Sequence, residues 1–555
     1  MREFLSALFK SGHDSDEPRS QSGMADTTFN ESSSDETIIK KWLTGPWAMS
    51  LLVAVVLVIT FYVEEDWRGA VEWNKAQAEI AAAGESLDPS KFIPPPIPED
   101  RNFGAMPIFQ LSSDPSSDYP HNKVAAGMKR AFRHAPIDKL PYSKDYAKQP
   151  GELPYLGIWA KGEAPDVEAI TKSLIARCHD EIPHVAVPPQ AKPAEIFDLL
   201  IPDLARLRKA NASLPYCRFD EDYTSQPPML RSYAGVTSPI GFAKVLSYQE
   251  RLAFMGKDPQ LAMDDLGIGW KVDSGIRQEP SLIAGLVSAG VVAIQLAVVS
   301  QGLAEHQWND QQLTDLDDDL EKIDCLRDGQ FFVRGELAVQ LIPTVDFSET
   351  HRLAMRLIIF GGRMSSGSDI YSTISSTLML LIPKGWFLEF KADDTRFQLL
   401  GAVKMMDPAS HRVFPEREAK ALALIQGVRG TGYWRDFLEG MFSSSLSAAK
   451  NFAYTQARVD EARIACRLER YRLAHGRYPD SLSELVPVYG ADLPRDVMSG
   501  QSYGYRLLDD RSYLLYSVAW NQKDDGGTSF HSTSQAPKDA PDWVWDNHPE
   551  TLKTK

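Results

Sequence analysis

The stretch YTQARVDEARIACRLERYRLAHG, Tyr454 to Gly476, predicts one long amphipathic helix near the end of the chain. Val459, Cys466 and Leu473 recur one heptad apart, so apolar side chains share one face of this helix. Gly476 follows the last apolar position, and glycine is the residue type that most often ends a helix. We therefore expect the helix to stop at His475.

A short helical turn and a β-hairpin are expected after this helix. In YPDSLSELVP, residues 478–487, Asp480 or Ser481 can accept backbone N–H bonds as an N-cap. SYGYRLL (502–508) and SYLLYSV (512–518) then alternate polar and apolar residues around a turn at Asp509–Asp510, which is typical of a hairpin. Residues 447–527, termed the C-terminal module below, are therefore predicted to be a small α+β domain.

In order and spacing, residues 455–527 resemble the C-terminal head of the major pseudopilin of type II secretion. The likeness consists of a helix ending H-G-x-Y-P, an S-L-x-E-L helix, an L-P-x-D loop and strands closing on S-V-x-x-N-x-x-D-D-G-G. In pseudopilins the membrane helix opens the same long helix, whereas residues 64–453 separate the two features here.

The last loop of such heads commonly binds calcium, so the resemblance implies Asn521, Asp524 and Asp525 as metal ligands. Oxygen ligands suit this cation, although calcium takes roughly six to eight of them. The alternative is a polar hairpin loop in which Gly526 and Gly527 allow the turn.

An uncharged apolar run, residues 43–63, predicts a single transmembrane helix, because its length of about 30 Å matches the hydrocarbon layer. Lys40 and Lys41 precede it and predict a cytoplasmic N-terminus. A cleavable signal peptide is the alternative, but a long polar segment precedes the run and no cleavage site follows it. We expect an inner-membrane, single-pass protein anchored in the lipid bilayer by residues 43–63, with the bulk of the chain in the periplasm.

The remaining segments flank the anchor or form a second domain. Residues 1–42 are predicted to be a disordered cytoplasmic tail, because they are rich in Ser, Asp, Glu and Thr. Residues 64–101 predict a juxtamembrane helix ending at Gly84, and then a proline-rich spacer that holds the next domain away from the bilayer. Residues 528–555 are predicted to be a polar tail.

Residues 102–446 predict a helix-rich extracytoplasmic domain, so the expected fold is mainly α with α+β parts. Residues 193–211 place apolar side chains on one helix face, and residues 308–324 do the same after a cap at Asn309 or Asp310. Asp317 to Asp319 are then expected to lie on a solvated helix face. Residues 281–300 predict a buried core helix rather than a second span, and the apolar runs at 327–405 predict strands or buried helices.

The net charge and the sequence motifs limit the classes of function that this chain can have. The formal net charge of −16 argues against nucleic-acid binding. The sequence holds no HExxH, GxxxxGK[ST] or GxSxG motif. GGRMSSGSD, residues 361–369, predicts a loop rather than a nucleophile, and CHDEIPH, residues 178–184, a polar helix end rather than a zinc site.

The four cysteines lie far apart and predict buried thiols. If the compartment is oxidising, Cys178 and Cys217 are the pair to test for a disulfide, since both lie in one predicted region.

PSLIAGLVSAG, GLAEHQWNDQQL and PKGWF, with the C-terminal module, resemble a group of long, anchored, uncharacterised bacterial proteins of planctomycete and verrucomicrobial type. This resemblance implies an architecture and no activity. For the function we consider two hypotheses. The first is a non-enzymatic protein that binds or assembles with an envelope protein. The second is an extracytoplasmic hydrolase whose active site lies in the helix-rich domain.

Overall fold

Helices make up most of the described chain. The computed structural model describes residues 46–106, 109, 167–219, 223, 228, 231, 234–351, 382–424, 432–509, 512–528 and 541–545. The chain divides into two compact units, Met1–Glu64 and Glu65–Lys555. Two small antiparallel sheets accompany the helices, so the prediction of a mainly α fold with some β structure is confirmed at this level.

Two of the described helices are long and apolar enough to cross a membrane by length and composition. The first, α1, spans Pro46–Ala82, and its apolar side chains before residue 64 are exposed, for example Leu51 and Leu57. Apolar exposure on this scale is costly in water and is expected of a helix that faces lipid. The second, α7, spans Leu282–Ala304.

The remaining helices belong to the second unit. In chain order they are α2 Val167–Glu181, α3 Pro193–Leu200, α4 Asp203–Ser213, α5 Ala234–Met255, α6 Pro259–Ile276, α8 Asp310–Glu321, α9 Cys325–Gly335, α10 Ile342–Thr350, α11 Lys384–Arg396, α12 Val403–Met405, α13 Glu418–Ala423 and α14 Gly432–His475. π-helical turns at Glu336–Leu341 and Phe397–Ala402 follow α9 and α11 directly. Short 3-10 turns lie at Pro89–Lys91, Glu99–Arg101, Phe103–Ala105, Pro415–Arg417 and Leu482–Leu485.

Helix α7 lies in the core of the second unit. It packs against α5, α6 and α14, and its Val291, Val292 and Val298 are buried. We therefore interpret α7 as a core helix, in line with the prediction from its internal polar residues.

Helix α14 joins the C-terminal module to the helical domain. It packs along α7 and α8, and its Phe452 ring lies 5.8 Å from that of Phe332 on α9. The predicted boundary between residues 446 and 447 falls inside this helix. One continuous hydrophobic core includes side chains from both sides of that position, for example Leu316 and Leu515.

The C-terminal module matches its predicted element order and adds one strand. Gly476, with φ +78°, follows α14, and Ser481 and Glu484 cap the 3-10 turn. Strand β3 (Gly504–Asp509) pairs antiparallel with β4 (Ser512–Ser517). The third strand, β5 (Trp543–Trp545), pairs with β4 and buries both tryptophans. Sequence analysis missed β5, because it lies within the predicted polar tail.

Local predictions in the helical domain have mixed outcomes. Asn309 caps α8 as predicted, accepting the Gln312 N–H at 2.9 Å. The helix predicted over residues 193–211 is two helices, α3 and α4, because Pro202 lacks an N–H and clashes with a continuing turn. Asp317 is buried against two arginines, so the prediction of a solvated face was wrong for this residue.

Residues 327–350 and 384–405 are helical, so the helix alternative is correct for them, and residues 376–381 of the second apolar run lie outside the described residues. The strands described in the helical domain are β1 (Met406–Asp407) and β2 (Arg412–Val413), which form a small hairpin.

The residues that follow position 64 pack against the helical domain, with the backbones of α1 and α11 in close contact. The last part of α1 lies so close to α11 that a Cβ on Gly385 would stand 1.9 Å from the Glu65 carbonyl oxygen. The Gly385 N–H donates to Asp66 at 2.8 Å, and the Trp386 indole donates to Glu65 at 2.9 Å.

The proline-rich segment also lies along the domain. Phe92 packs 6.1 Å from Phe331, and Arg218 donates to the Pro95 carbonyl. Asn102 exchanges two hydrogen bonds with the Arg218 backbone, at 2.8 and 2.9 Å. The predicted spacer therefore does not stand free of the following domain, because its carbonyls and flanking side chains find partners there.

We expect Gly385→Ala to lower the free energy of unfolding by about 1–3 kcal/mol, because the new methyl group meets backbone that cannot rotate away. Chemical denaturation of the full chain measures this loss of stability. Residues 65–105 should also become more susceptible to proteolysis in the variant. Gly256→Ala is the control, since its nearest side-chain neighbour is the flexible Lys192 Cδ at 3.3 Å. Equal losses in both variants would contradict the assignment.

Candidate functional site

The predicted calcium ligands lie on the loop that follows β4. Asn521, Asp524 and Asp525 are exposed. Asp524 accepts hydrogen bonds from the Tyr516 hydroxyl at 2.8 Å and from the Gly526 N–H at 2.9 Å. Asn521 donates its side-chain N–H to Asp525 at 2.8 Å. The three side chains are thus brought together, with their polar atoms engaged in a local hydrogen-bond network.

Asp542 holds this loop in place and was missed by sequence analysis. Its fully buried carboxylate accepts the N–H groups of Gly527 at 2.8 Å and Thr528 at 3.1 Å. Burial raises the pKa of Asp542. The residue lies just before β5, so the only signal for it in the sequence was the Trp-Val-Trp strand pattern that follows.

Side-chain oxygens of this loop are engaged in local hydrogen bonds. The Asn521 side-chain carbonyl oxygen accepts the Lys523 N–H at 2.9 Å, and Asp542 accepts backbone N–H groups. Within the described part of the chain, no three His, Cys, Asp or Glu side chains form a group that could hold a metal ion. The calcium assignment at this loop therefore rests on the pseudopilin resemblance alone.

A histidine, a carboxylate and a tyrosine meet on one face of α14. His411 Nε2 lies 2.8 Å from Asp460 Oδ2, and the Tyr503 hydroxyl donates to the same oxygen at 2.9 Å. Gln456 donates to the other oxygen of Asp460 at 3.0 Å. Burial opposes the charged imidazolium, but the hydrogen bond and charge of Asp460 outweigh it and raise the pKa of His411.

A second cluster of the same composition lies on the opposite face of α14. Glu469 follows Asp460 by nine residues, which is half a turn away around a helix with about 3.6 residues per turn. It contacts His306 Nδ1 at 2.8 Å and accepts the Tyr478 hydroxyl at 2.9 Å. Burial would raise the pKa of Glu469, but hydrogen bonds from Arg472 and His306 lower it to about 2.

Neither cluster contains an activated nucleophile among the described residues. Ser410, beside His411, donates its hydroxyl to Asp407 at 2.6 Å. Burial, with the nearby charge of Asp328, raises the pKa of the Cys325 thiol well above its usual range, and a neutral thiol is a poor attacker. Both histidine clusters are therefore best described as clamps that tie α14 to the turns around it.

The other residues singled out in the sequence have structural places. Cys178 is buried on α2, and its thiol contacts the Ile196 carbonyl at 3.8 Å. Cys178 and Cys217 are both buried and are not joined by a disulfide in this structure. The serine-containing turn at 361–369 lies outside the described residues.

A third polar cluster lies where the two π-helical turns begin, and sequence analysis missed it. Asp394 is fully buried, and the Gln398 side chain donates to it at 3.3 Å. Burial raises the pKa of Asp394 to about 7, and the nearby Glu336 adds to the rise. Glu336 itself accepts the Leu282 N–H at 2.9 Å. The signal in the sequence was an acid four residues before a glutamine, in ELAVQ (336–340) and DTRFQ (394–398).

Comparisons with protein-family models, curated proteins and solved structures found no match to this chain.

We expect Asp542→Ala to cost about 1–3 kcal/mol of folding free energy, because it removes the buried carboxylate that accepts the N–H groups of Gly527 and Thr528. Hydrogen exchange at residues 527 and 528 should accelerate in the full chain. Asp524→Ala, on the exposed side of the loop, serves as the control and should change stability little. Equal acceleration in both variants would show that Asp542 does not hold the loop.

Stability should rise as pH falls from 8 to 6. Raised pKa values of about 6 for Asp265, 7 for Asp394 and 8 for Glu461 mean that the folded chain binds more protons than the unfolded chain in this range. Glu469 acts oppositely: with its pKa lowered to about 2, its contribution is lost as pH falls below about 4.5. Melting temperature against pH tests this.

Asp394→Asn and Glu461→Gln should flatten the slope between pH 6 and 8, whereas the exposed Asp525→Asn should leave it unchanged. A melting temperature that increases from pH 6 to pH 8 would contradict the assignment of these buried carboxyls.

Proposed function

We propose that this chain is a single-pass inner-membrane protein whose residues 65–555 lie in the periplasm and act as a rigid recognition and assembly body. In this proposal the protein contacts an envelope protein partner and catalyses no reaction. The observation that carries it is α14, a single helix that belongs both to the core of the helical domain and to the C-terminal module.

Ion pairs make α14 a stiff connection rather than a hinge. Arg463 and Arg467 both bind the buried Asp317 of α8, at 2.8 and 2.7 Å. Arg470 binds Asp310 at the start of α8 at 2.8 Å. A carboxylate shared by two guanidinium groups in a buried setting fixes the relative position of both helices. Such a connection suits a protein that presents a surface at a defined position.

The polar clusters of α14 make their hydrogen bonds to other parts of the same chain, and this favours a binding role over catalysis. His411 and His306 each pair with a buried carboxylate of α14, and each carboxylate also accepts a tyrosine hydroxyl. A hydrolase would need a base, a nucleophile and an open approach for substrate in one place. His411, which is partly exposed, is the position at which the hydrolase alternative is tested.

Membrane anchoring by residues 43–63 is supported by the exposure of the apolar side chains of α1, and the cytoplasmic N-terminus by Lys40 and Lys41. The pseudopilin-like role of the C-terminal module is part of the proposal. It is supported by the order of elements from α14 through the capped 3-10 turn to the β3–β4 hairpin. Val488, exposed to 73%, offers an apolar contact point on this module.

A reporter enzyme that is active only in the periplasm, fused after Lys555, should be active, whereas the same reporter fused before Met1 should be inactive. Both follow from the Lys/Arg bias on one side of the apolar run. Activity of the C-terminal fusion of a cytoplasm-only reporter would overturn the topology.

The assembly role is tested by a photo-crosslinking amino acid at Val488 in intact cells. We expect a discrete crosslinked protein from Val488 and none from the equally exposed Lys172 on α2, which serves as the control. No product from Val488, combined with a hydrolytic activity that His411→Gln abolishes, would favour the hydrolase alternative.

A further inference from the structure

The sheet of the C-terminal module has two edges, and they differ in how they are covered. Its strand order is β3–β4–β5, so β3 and β5 are both edge strands. Helix α14 packs against β5, and Arg458 of that helix donates to the Val544 carbonyl at 2.7 Å. The Arg458 guanidinium also lies over the Trp545 ring, 4.6 Å from its centroid. The β5 edge is therefore covered by side chains of the same chain.

The β3 edge has no such cover. Within the described part of the chain, the backbone of residues 504–508 makes no hydrogen bond apart from its pairing with β4. In an antiparallel pair, alternate residues of an edge strand direct their N–H and C=O groups away from the neighbouring strand. Strand β3 therefore presents a row of unpaired donors and acceptors, which is a template for pairing with another extended chain.

The core side of β3 holds this edge in place. Tyr505 and Leu507 pack against the hydrophobic core, and the Tyr505 hydroxyl donates to the Pro479 carbonyl at 2.7 Å. Residues 504–507 keep a regular register with β4, and a bulge follows between Leu507 and Asp509. The edge is thus already formed in the free chain, so little conformational entropy is lost when a partner pairs with it.

Two exposed side chains of β3 determine the chemistry of a partner strand. Leu508 is 46% exposed, and Arg506 is exposed on the face opposite Tyr505 and Leu507, since successive side chains of a strand alternate. Among the described residues, no carboxylate lies within ion-pair distance of the Arg506 guanidinium. A partner strand with Asp or Glu opposite Arg506 would gain a cross-strand ion pair.

A second copy of β3 fits this edge less well. In an antiparallel pair of copies centred on Arg506, the two arginines would lie directly opposite each other, and like charges in that position are destabilising. In a pair centred on Leu507, each Arg506 would lie opposite the apolar Leu508 of the other copy. Neither of these central registers gives Arg506 a carboxylate, so the charge favours a segment of a different protein.

We propose that the free edge of β3 binds an extended segment of the envelope protein partner by β-strand addition, with an acidic side chain of that segment opposite Arg506. Main-chain hydrogen bonds provide the affinity in this mode, and alternate side chains provide the specificity. The inference rests on the proposed recognition role, and it identifies the surface and the class of segment recognised. Val488 precedes β3 in the chain and is a separate exposed position, so the two proposals can be tested apart.

The first test places a photo-crosslinking amino acid at Leu508 of the full chain in intact cells. We expect a crosslinked protein from this position, and mass spectrometry should map the crosslink to a segment that contains Asp or Glu. Arg506→Glu should reduce the product about fivefold or more, because it places like charges opposite each other. Arg506→Lys keeps the positive charge and should retain most of the product. Lys172 on α2 is again the control position.

A synthetic peptide of the crosslinked segment then tests the backbone pairing. Added to the full chain in detergent, it should slow hydrogen exchange about tenfold at those amides of residues 504–508 that face the edge, because they gain acceptors. The β5 amides are the control and should not change, because α14 covers that strand. A peptide in which the acidic residue is replaced by its amide should have a weaker effect.

Other results would overturn the proposal. A product from Val488 with none from Leu508 would leave the recognition role standing and exclude this edge as its surface. A product from Leu508 that is a second copy of this chain would assign the edge to self-association. A product that Arg506→Glu leaves unchanged would show that no acidic residue faces Arg506. No product from either position would contradict the recognition role and this proposal together.

Discussion

The burial of helix α14 on several sides is the constraint on which the rest of the second unit depends. Its apolar side chains, such as Val459 and Cys466, are fully buried, so neighbouring helices and strands must cover most of its surface. Its charged residues must then find internal partners, because an unpaired charge in such a position costs several kcal/mol. Asp317 meets this need for Arg463 and Arg467 together.

Buried carboxylates in this protein fall into two electrostatic states. Glu469 is surrounded by donors, and these hold its pKa at about 2 despite its burial. Asp394 has a glutamine and further acids nearby, and its pKa is raised to about 7 by burial. The difference lies in the partners and not in depth, since desolvation raises the pKa in both cases. The first state holds helices together through charged pairs, whereas the second favours the protonated, uncharged carboxyl.

Close backbone packing gives the residues that follow position 64 a fixed position against α11. Gly385 lets α11 approach α1 to a distance that any Cβ would prevent, and Asp66 and Glu65 then accept hydrogen bonds from α11. In the short PKGWF sequence, Gly385 permits this close approach, and the Trp386 indole N–H donates to the Glu65 carboxylate. This attachment leaves the first residues of the second unit little freedom, and the ion pairs of α14 hold its other end in the same way.

The sequence by itself determined the features that depend on neighbours a few residues apart. These include the cap at Asn309, the helix end at Gly476, the capped turn at Ser481 and the β3–β4 hairpin, because each uses local hydrogen bonds or a short hydrophobic period. Only the tertiary structure decided which polar groups are buried and which partners they have. Asp317 meets Arg467, and Asp460 meets His411, across large separations in sequence. A residue's charge is written in the sequence, but its solvation and its partner are set only when distant segments pack together.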